Sequence, residues 1–232
     1  MIHRSTHGRR AGNTSTLVVV LVAGFLALVA AGGLYYIAMR GSAGPGYGGG
    51  GVTLAAPPAS PETFGSVAEF AFPERSGETV TGETLRGAPY IVSFFFARCA
   101  GPCPKLLGNV ARLQERLPEG SPVKLVSITV DPKHDTPEYL ATYANNFSAD
   151  PEQWLFLSGT EDAIFGLMRQ SFHLALEVLP DKDAVMGMEI THDTRLVVVD
   201  GEGQVRGYYD GESDTEIDKA LERALYLAEA GQ

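Results

Sequence analysis

Apolar positions along this chain fall into blocks whose period switches between strand and helix. Tyr90–Phe96 (YIVSFFF) is a continuous apolar run rich in aromatic and β-branched residues, which predicts a buried strand. Lys105–Leu117 spaces Leu106, Leu107, Val110, Leu113 and Leu117 along one helical face. Val123–Val130 predicts a second strand. Thr136–Phe147 predicts a helix, with Pro137 at its first position and Tyr139, Leu140, Tyr143 and Phe147 on one face. Trp154–Leu157 follows as a short strand and Glu161–Gln170 as a helix. Leu196–Val199 and Gln204–Tyr209 flank Asp200-Gly201-Glu202-Gly203, a hairpin signal. Ser213–Ala230 closes the series as a helix with Asp214 and Glu216 in its first turn.

Strands and helices that alternate in this way imply an α/β sheet covered on both faces. The order is that of a thioredoxin-like domain with one insertion. Segments around Phe70–Phe72 and Val80 predict an added edge hairpin.

A different pattern precedes this domain. Leu17–Met39 is 23 residues without a charge. As a helix it measures ~35 Å against a hydrocarbon core of ~30 Å, so it predicts a single transmembrane helix. A cleaved signal peptide has an apolar core of only ~7–15 residues. Arg4, Arg9 and Arg10 precede the span and Arg40 follows it, which places residues 1–16 in the cytoplasm and the rest outside. A bacterial cytoplasmic membrane is the first reading and a mitochondrial inner membrane the second. Residues 40–61 read as a linker, because Gly fills seven of the eleven positions from Gly41 to Gly51 and Pro57, Pro58 and Pro61 follow. Residues 62–232 then form the folded domain.

Charge sharpens this division. The formal net charge is −10, yet residues 1–61 carry +4 and the remainder carries −14. So acidic a domain is a poor match for nucleic acid, whose phosphates need Lys and Arg on one face. The acidic run Asp210–Asp218 reads as hairpin-end and helix-start chemistry.

The chain has two cysteines, too few for a disulfide scaffold or a four-cysteine zinc site. Both lie in Arg98-Cys99-Ala100-Gly101-Pro102-Cys103-Pro104, between a predicted strand and a predicted helix. The carboxyl end of a strand is where α/β folds place their sites. With Pro104 at the first helical position, Cys103 becomes the N-cap. The helix dipole, Arg98 and Lys105 then predict a lowered thiol pKa. A structural disulfide closing five residues contributes only ~2 kcal/mol, whereas one closing ~100 contributes ~4.7 kcal/mol. A reversible redox pair or a metal chelate fits better. Two thiolates suit Cu(I), which is soft and content with few ligands.

Three histidines lie in the domain. His134 sits in a charged loop, His173 in an apolar run that predicts packing, and His192 just before the Leu196–Val199 strand. In a thioredoxin-like domain that last loop lies beside the cysteine turn, which makes His192 the candidate third ligand. Met186 and Met188 read as packing residues.

Four segments in order resemble the SCO/SenC copper proteins over roughly residues 64–228. They are Cys99-x-x-x-Cys103-Pro104, Val130-Asp131-Pro132-Lys133-His134-Asp135-Thr136-Pro137-Glu138, Trp154-Leu155-Phe156-Leu157-Ser158-Gly159, and Thr191-His192 with the hairpin ending Gly207-Tyr208-Tyr209-Asp210-Gly211. The resemblance implies a thioredoxin-like domain that binds Cu(I) or Cu(II) through Cys99, Cys103 and His192. It further implies delivery of copper from an upstream donor to the dinuclear site of cytochrome c oxidase subunit II, or reduction of the thiols there. This chain has Gly101 and Thr191 where many members carry Asp, which bears on affinity and redox poise. The alternative is a thiol–disulfide oxidoreductase or redox sensor using Cys99 and Cys103 as a redox-active pair without obligatory copper. A peroxidase-like thiol enzyme fits less well, given the second cysteine and Pro104.

Overall fold

The computed structural model describes residues 62–179 and 190–231, and Gly24 alone ahead of them. Apart from Gly24, the apolar run 17–39 and the linker 40–61 lie outside the described residues, as do Met186 and Met188. Among the described residues no helix is long and apolar enough to cross a membrane.

The domain is built on a five-stranded mixed sheet. Its strands are β3 (Tyr90–Phe95), β4 (Lys124–Thr129), β5 (Trp154–Leu157), β8 (Arg195–Val199) and β9 (Val205–Asp210), in the order β5-β4-β3-β8-β9. β3 runs parallel to β4 and antiparallel to β8. Every residue of β3 is buried, which is why its sequence reads as an unbroken apolar run rather than an alternation. Successive side chains of β3 point to opposite faces. Phe94 meets Phe172, just beyond helix α3 (Glu161–Gln170), and Phe95 stacks on Tyr143 of helix α2 (Pro137–Ala144).

Helices α1 (Cys103–Arg116) and α4 (Asp214–Ala230) lie against each other. Their contact carries the ion pairs Arg112–Asp214 (2.8 Å) and Arg116–Asp218. Glu212 approaches Lys105 (4.0 Å) and Glu216 binds Lys219 (2.7 Å). The acidic run therefore has local partners, in line with its structural reading.

Both sheet edges are partly covered. The turn between β1 (Ala71–Pro73) and β2 (Thr79–Thr81) holds Arg75, whose N–H donates to Phe156 O (3.0 Å), while Ser158 N–H donates to Pro73 O (2.9 Å). At the other edge Phe64 N–H and Val67 N–H donate to Val205 O and Gly203 O (both 2.9 Å). Unpaired strand edges invite association, and these extra segments cover part of each edge.

The predicted elements recur with small shifts. α2 ends at Ala144 rather than Phe147, and a single 3₁₀ turn, Asn145–Phe147, leads to Ser148 at φ +50°. Sequence periodicity missed the two-stranded sheet formed by β6 (Leu176–Val178) and β7 (Ile190–His192), which pairs Leu176 with His192 and Val178 with Ile190.

Candidate metal and thiol centre

The site forms where β3 leaves the sheet. Beyond Phe95 the chain turns outward through Phe96, Ala97 and Arg98 to Cys99, and α1 begins at Cys103. The N-cap is Pro102, so Cys103 is the first helical residue rather than the cap. Cys99 is half-buried and Cys103 fully buried, and both thiols are free. Gly101 N–H donates to Cys99 Sγ (3.4 Å).

His192 arrives from β7. Its Nε2 lies 3.4 Å from Cys103 Sγ, and its ring meets Phe96 edge-on at 5.9 Å. His192 Nδ1 lies 2.9 Å from the carbonyl oxygen of Asp193. A carbonyl accepts only, so Nδ1 carries the proton and Nε2 presents a lone pair toward the thiol. Asp193 thus orients the imidazole through its backbone. Its carboxylate is taken by Arg195, with Nη2 at 2.6 Å and Nε at 3.0 Å. A cavity of about 120 Å³, lined mainly by Phe96, Cys99, Pro102, Ile190 and His192, opens over this group.

Electrostatics reverse one expectation. Burial pushes the Cys103 thiol well above its ordinary pKa, and a hydrogen bond with the Cys99 side chain adds to the effect. The helix start is outweighed because the sulfur has left water. The nearby cations are also engaged: Arg98 Nε donates to Asp131 (2.8 Å) and Lys105 faces Glu212 (4.0 Å). Burial likewise holds His192 below the ordinary histidine range, so its imidazole is neutral at pH 7. Alkylation by iodoacetamide should label Cys99 first. Cys103 should react more slowly, its rate still rising about tenfold per pH unit beyond ~8.5, where an ordinary thiol levels off. Mass mapping of the labelled peptides reads both rates, and a plateau for Cys103 near pH 8.5 would contradict the burial argument.

The other histidines lie elsewhere. His134 is exposed, with Nδ1 2.9 Å from Asp131 Oδ1. His173 is exposed at φ +49° rather than packed in the core; the buried neighbours Phe172 and Leu174 carry that apolar run. Among the described residues no three Cys, His, Asp or Glu side chains already converge closely enough to hold an ion. Cys103 and His192 are in contact, and Cys99 adjoins Cys103 while its sulfur also accepts from Gly101. Sequence reasoning quoted Asp131 and Asp135 only as part of a family segment and gave neither a role, yet their contacts reach Arg98 and Ala97. Two aspartates four positions apart, directly after a buried strand, were the available signal.

A half-buried and a buried thiol at the exit of the central strand, faced by an imidazole from a small two-stranded sheet, define a thioredoxin-like thiol protein with soft-metal donors. The SCO1/SenC family profile matches residues 58–225, and the chain belongs to that family. The SCO1 protein homolog of Bacillus subtilis is 29% identical over 157 residues, covering 67% of this chain and 79% of that protein. The structure of BsSco, described as a member of the Sco family of cytochrome c oxidase assembly proteins with a disulfide switch, aligns at TM-score 0.62 and 26% identity. That alignment covers 72% of this chain and 96% of BsSco. Yeast Sco1 with copper bound aligns at TM-score 0.57 and 25% identity, covering 68% of this chain and 87% of that one.

Proposed function

We propose that this chain is a copper-binding assembly factor for cytochrome c oxidase, with Cys99, Cys103 and His192 as the copper ligands. The observation that carries this reading is the approach of His192 Nε2 to Cys103 Sγ, with the Nδ1 proton tied to a backbone carbonyl. Two thiolates suffice for Cu(I), and an added neutral imidazole suits Cu(II). Copper is cargo in this scheme. Loading expels the Cys103 proton, so affinity rises with pH.

Family membership and the name of BsSco support the assembly role, and copper-bound yeast Sco1 supports the copper binding. The finer steps are part of the proposal. An upstream donor loads the site, and the recipient is the dinuclear copper site of subunit II. The apolar run 17–39 anchors the chain in a bacterial cytoplasmic membrane, with the domain on the outer side, which keeps it close to a membrane-bound acceptor.

A second reading rests on the free thiols themselves. The Cys99–Cys103 dithiol passes two electrons and two protons to a disulfide of subunit II and closes into its own disulfide. Burial leaves Cys103 protonated, so the dithiol gains no thiolate stabilisation, which suits a pair that gives up its electrons. The deciding experiment is metal analysis of the reduced full-length chain in detergent. One copper per chain, absent from a Cys99→Ser/Cys103→Ser double variant, is expected. Copper content that does not depend on the cysteines would overturn the metal reading, and disulfide exchange with a subunit II peptide would then carry the second.

A further inference from the structure

Two aspartates outside the donor set hold the residues just ahead of Cys99. Asp135 is fully buried. Its Oδ2 accepts from Ala97 N–H (2.9 Å) and from the Thr129 hydroxyl (2.5 Å). Its Oδ1 is buried and has no hydrogen-bond partner among the described residues. Asp131 accepts from Arg98 Nε (2.8 Å), and its own N–H donates to Thr129 Oγ1 (3.0 Å). The backbone N–H groups of His134 and Asp135 both donate to Asp131 O (3.1 and 3.0 Å). The loop after β4 is therefore tightly cross-braced.

The location explains the bracing. Regular pairing between β3 and β4 ends at Phe95 and Thr129, with Val130 N–H donating to Phe95 O (2.7 Å) as the last rung. Beyond that rung the backbone toward Cys99 has left the ladder. Side chains take over: Asp135 holds the peptide of Ala97, and Asp131 holds the side chain of Arg98. Burying a carboxylate with one oxygen unsatisfied is costly, and the core gains nothing from it that an apolar side chain would not supply better. Cys103 needs no such support, because it belongs to α1.

We propose that Asp135, supported by Asp131, is the positioning residue for Cys99, fixing where the strand exit places that thiol relative to the buried thiol of Cys103. Two quantities depend on this placement. One is the dithiol–disulfide equilibrium of the metal-free protein. The other is copper affinity, which rests on the copper reading above.

The test uses the full chain in detergent with Asp135→Ala, Asp135→Asn and Arg98→Met. The dithiol–disulfide equilibrium constant is measured against glutathione, Cu(II) affinity by competition with a chelator, and unfolding by heat. Asn retains an oxygen for Ala97 N–H, so it should stay within about twofold of wild type. Ala should change the equilibrium constant and weaken copper by about tenfold or more, the scale seen when partners that orient a ligand are removed. Arg98→Met should move both in the same direction by less. Ser127→Ala, a buried hydroxyl change in mid-sheet, should lower the melting temperature and leave the equilibrium constant alone. An Ala variant with the wild-type equilibrium constant overturns the proposal, and so does an Asn variant as altered as Ala. If Ala does not fold, an unchanged equilibrium constant in Arg98→Met overturns it. A shifted dithiol equilibrium in a chain that binds no copper upholds the positioning role and removes the copper reading instead.

Discussion

Replacing His192 with Ala is expected to weaken Cu(II) binding by at least ~100-fold, beyond the ~10–100-fold that loss of an orienting partner costs. The argument rests on the donor set. His192 supplies the only imidazole nitrogen in contact with a cysteine sulfur among the described residues, and its Nε2 is the unprotonated atom. Without it, two sulfurs remain. That pair still satisfies Cu(I), which accepts low coordination with soft ligands, whereas Cu(II) loses its borderline nitrogen donor. Cu(I) affinity should therefore fall much less than Cu(II) affinity. The two losses together also predict a higher Cu(II)/Cu(I) potential in the variant. Competition titrations with a chelator for each oxidation state measure the split. Equal losses for both ions would place His192 outside the selective part of the site, and no loss at all would remove it from the donor set. The substitution also opens space beside Phe96, so the unfolding midpoint should be followed to separate ligand loss from general loosening.

Much of this centre was legible in the chain because its chemistry is sparse. With only two thiols, four positions apart after an apolar run, a shared site needed no tertiary information. β5 and α3 were also readable to the residue, since Ser158-Gly159-Thr160 between them ends one period and starts the other. What pattern could not supply was set by residues distant in sequence. The raised pKa of Cys103 follows from complete burial, and Asp131 and Glu212 occupy the cations that seemed available to it. β6 and β7 are three residues each, too short to show an alternation, and they become strands only by pairing across residues 179–189. The role of Asp135 was hidden for a related reason: in sequence it is one acid in a charged loop, while in space it is a fully buried acceptor beneath Ala97.

The same coupling of distant segments makes Gly211 the position where the smallest added group should do most harm. A Cβ there would land inside contact distance of both Leu106 Cδ1 and the Thr194 carbonyl oxygen. Leu106 has other rotamers, but it is fully buried in α1 three residues after Cys103. The Thr194 carbonyl belongs to the backbone two residues after His192 and cannot rotate away. Gly211 itself is held, since its carbonyl accepts from Asn109 Nδ2 of α1 at 2.9 Å. Relief must therefore come from displacing α1, the His192 loop, or both. Gly211→Ala should cost about 3 kcal/mol, the upper end of the usual range for overpacking. Denaturant unfolding should show this as a lower midpoint with an unchanged slope. Cu(II) affinity should fall as well, because the displaced segments carry Cys103 and His192. Gly101→Ala is the control: a Cβ there meets Cys99 Sγ at 3.8 Å, an ordinary contact, so its unfolding midpoint should stay near wild type although it lies between the cysteines. A Gly211→Ala chain as stable as wild type would mean that α1 and the 193–195 loop yield to each other freely. The contact of Cys103 with His192 would then be loosely held, contrary to the rigid donor pair on which the selectivity for Cu(II) depends.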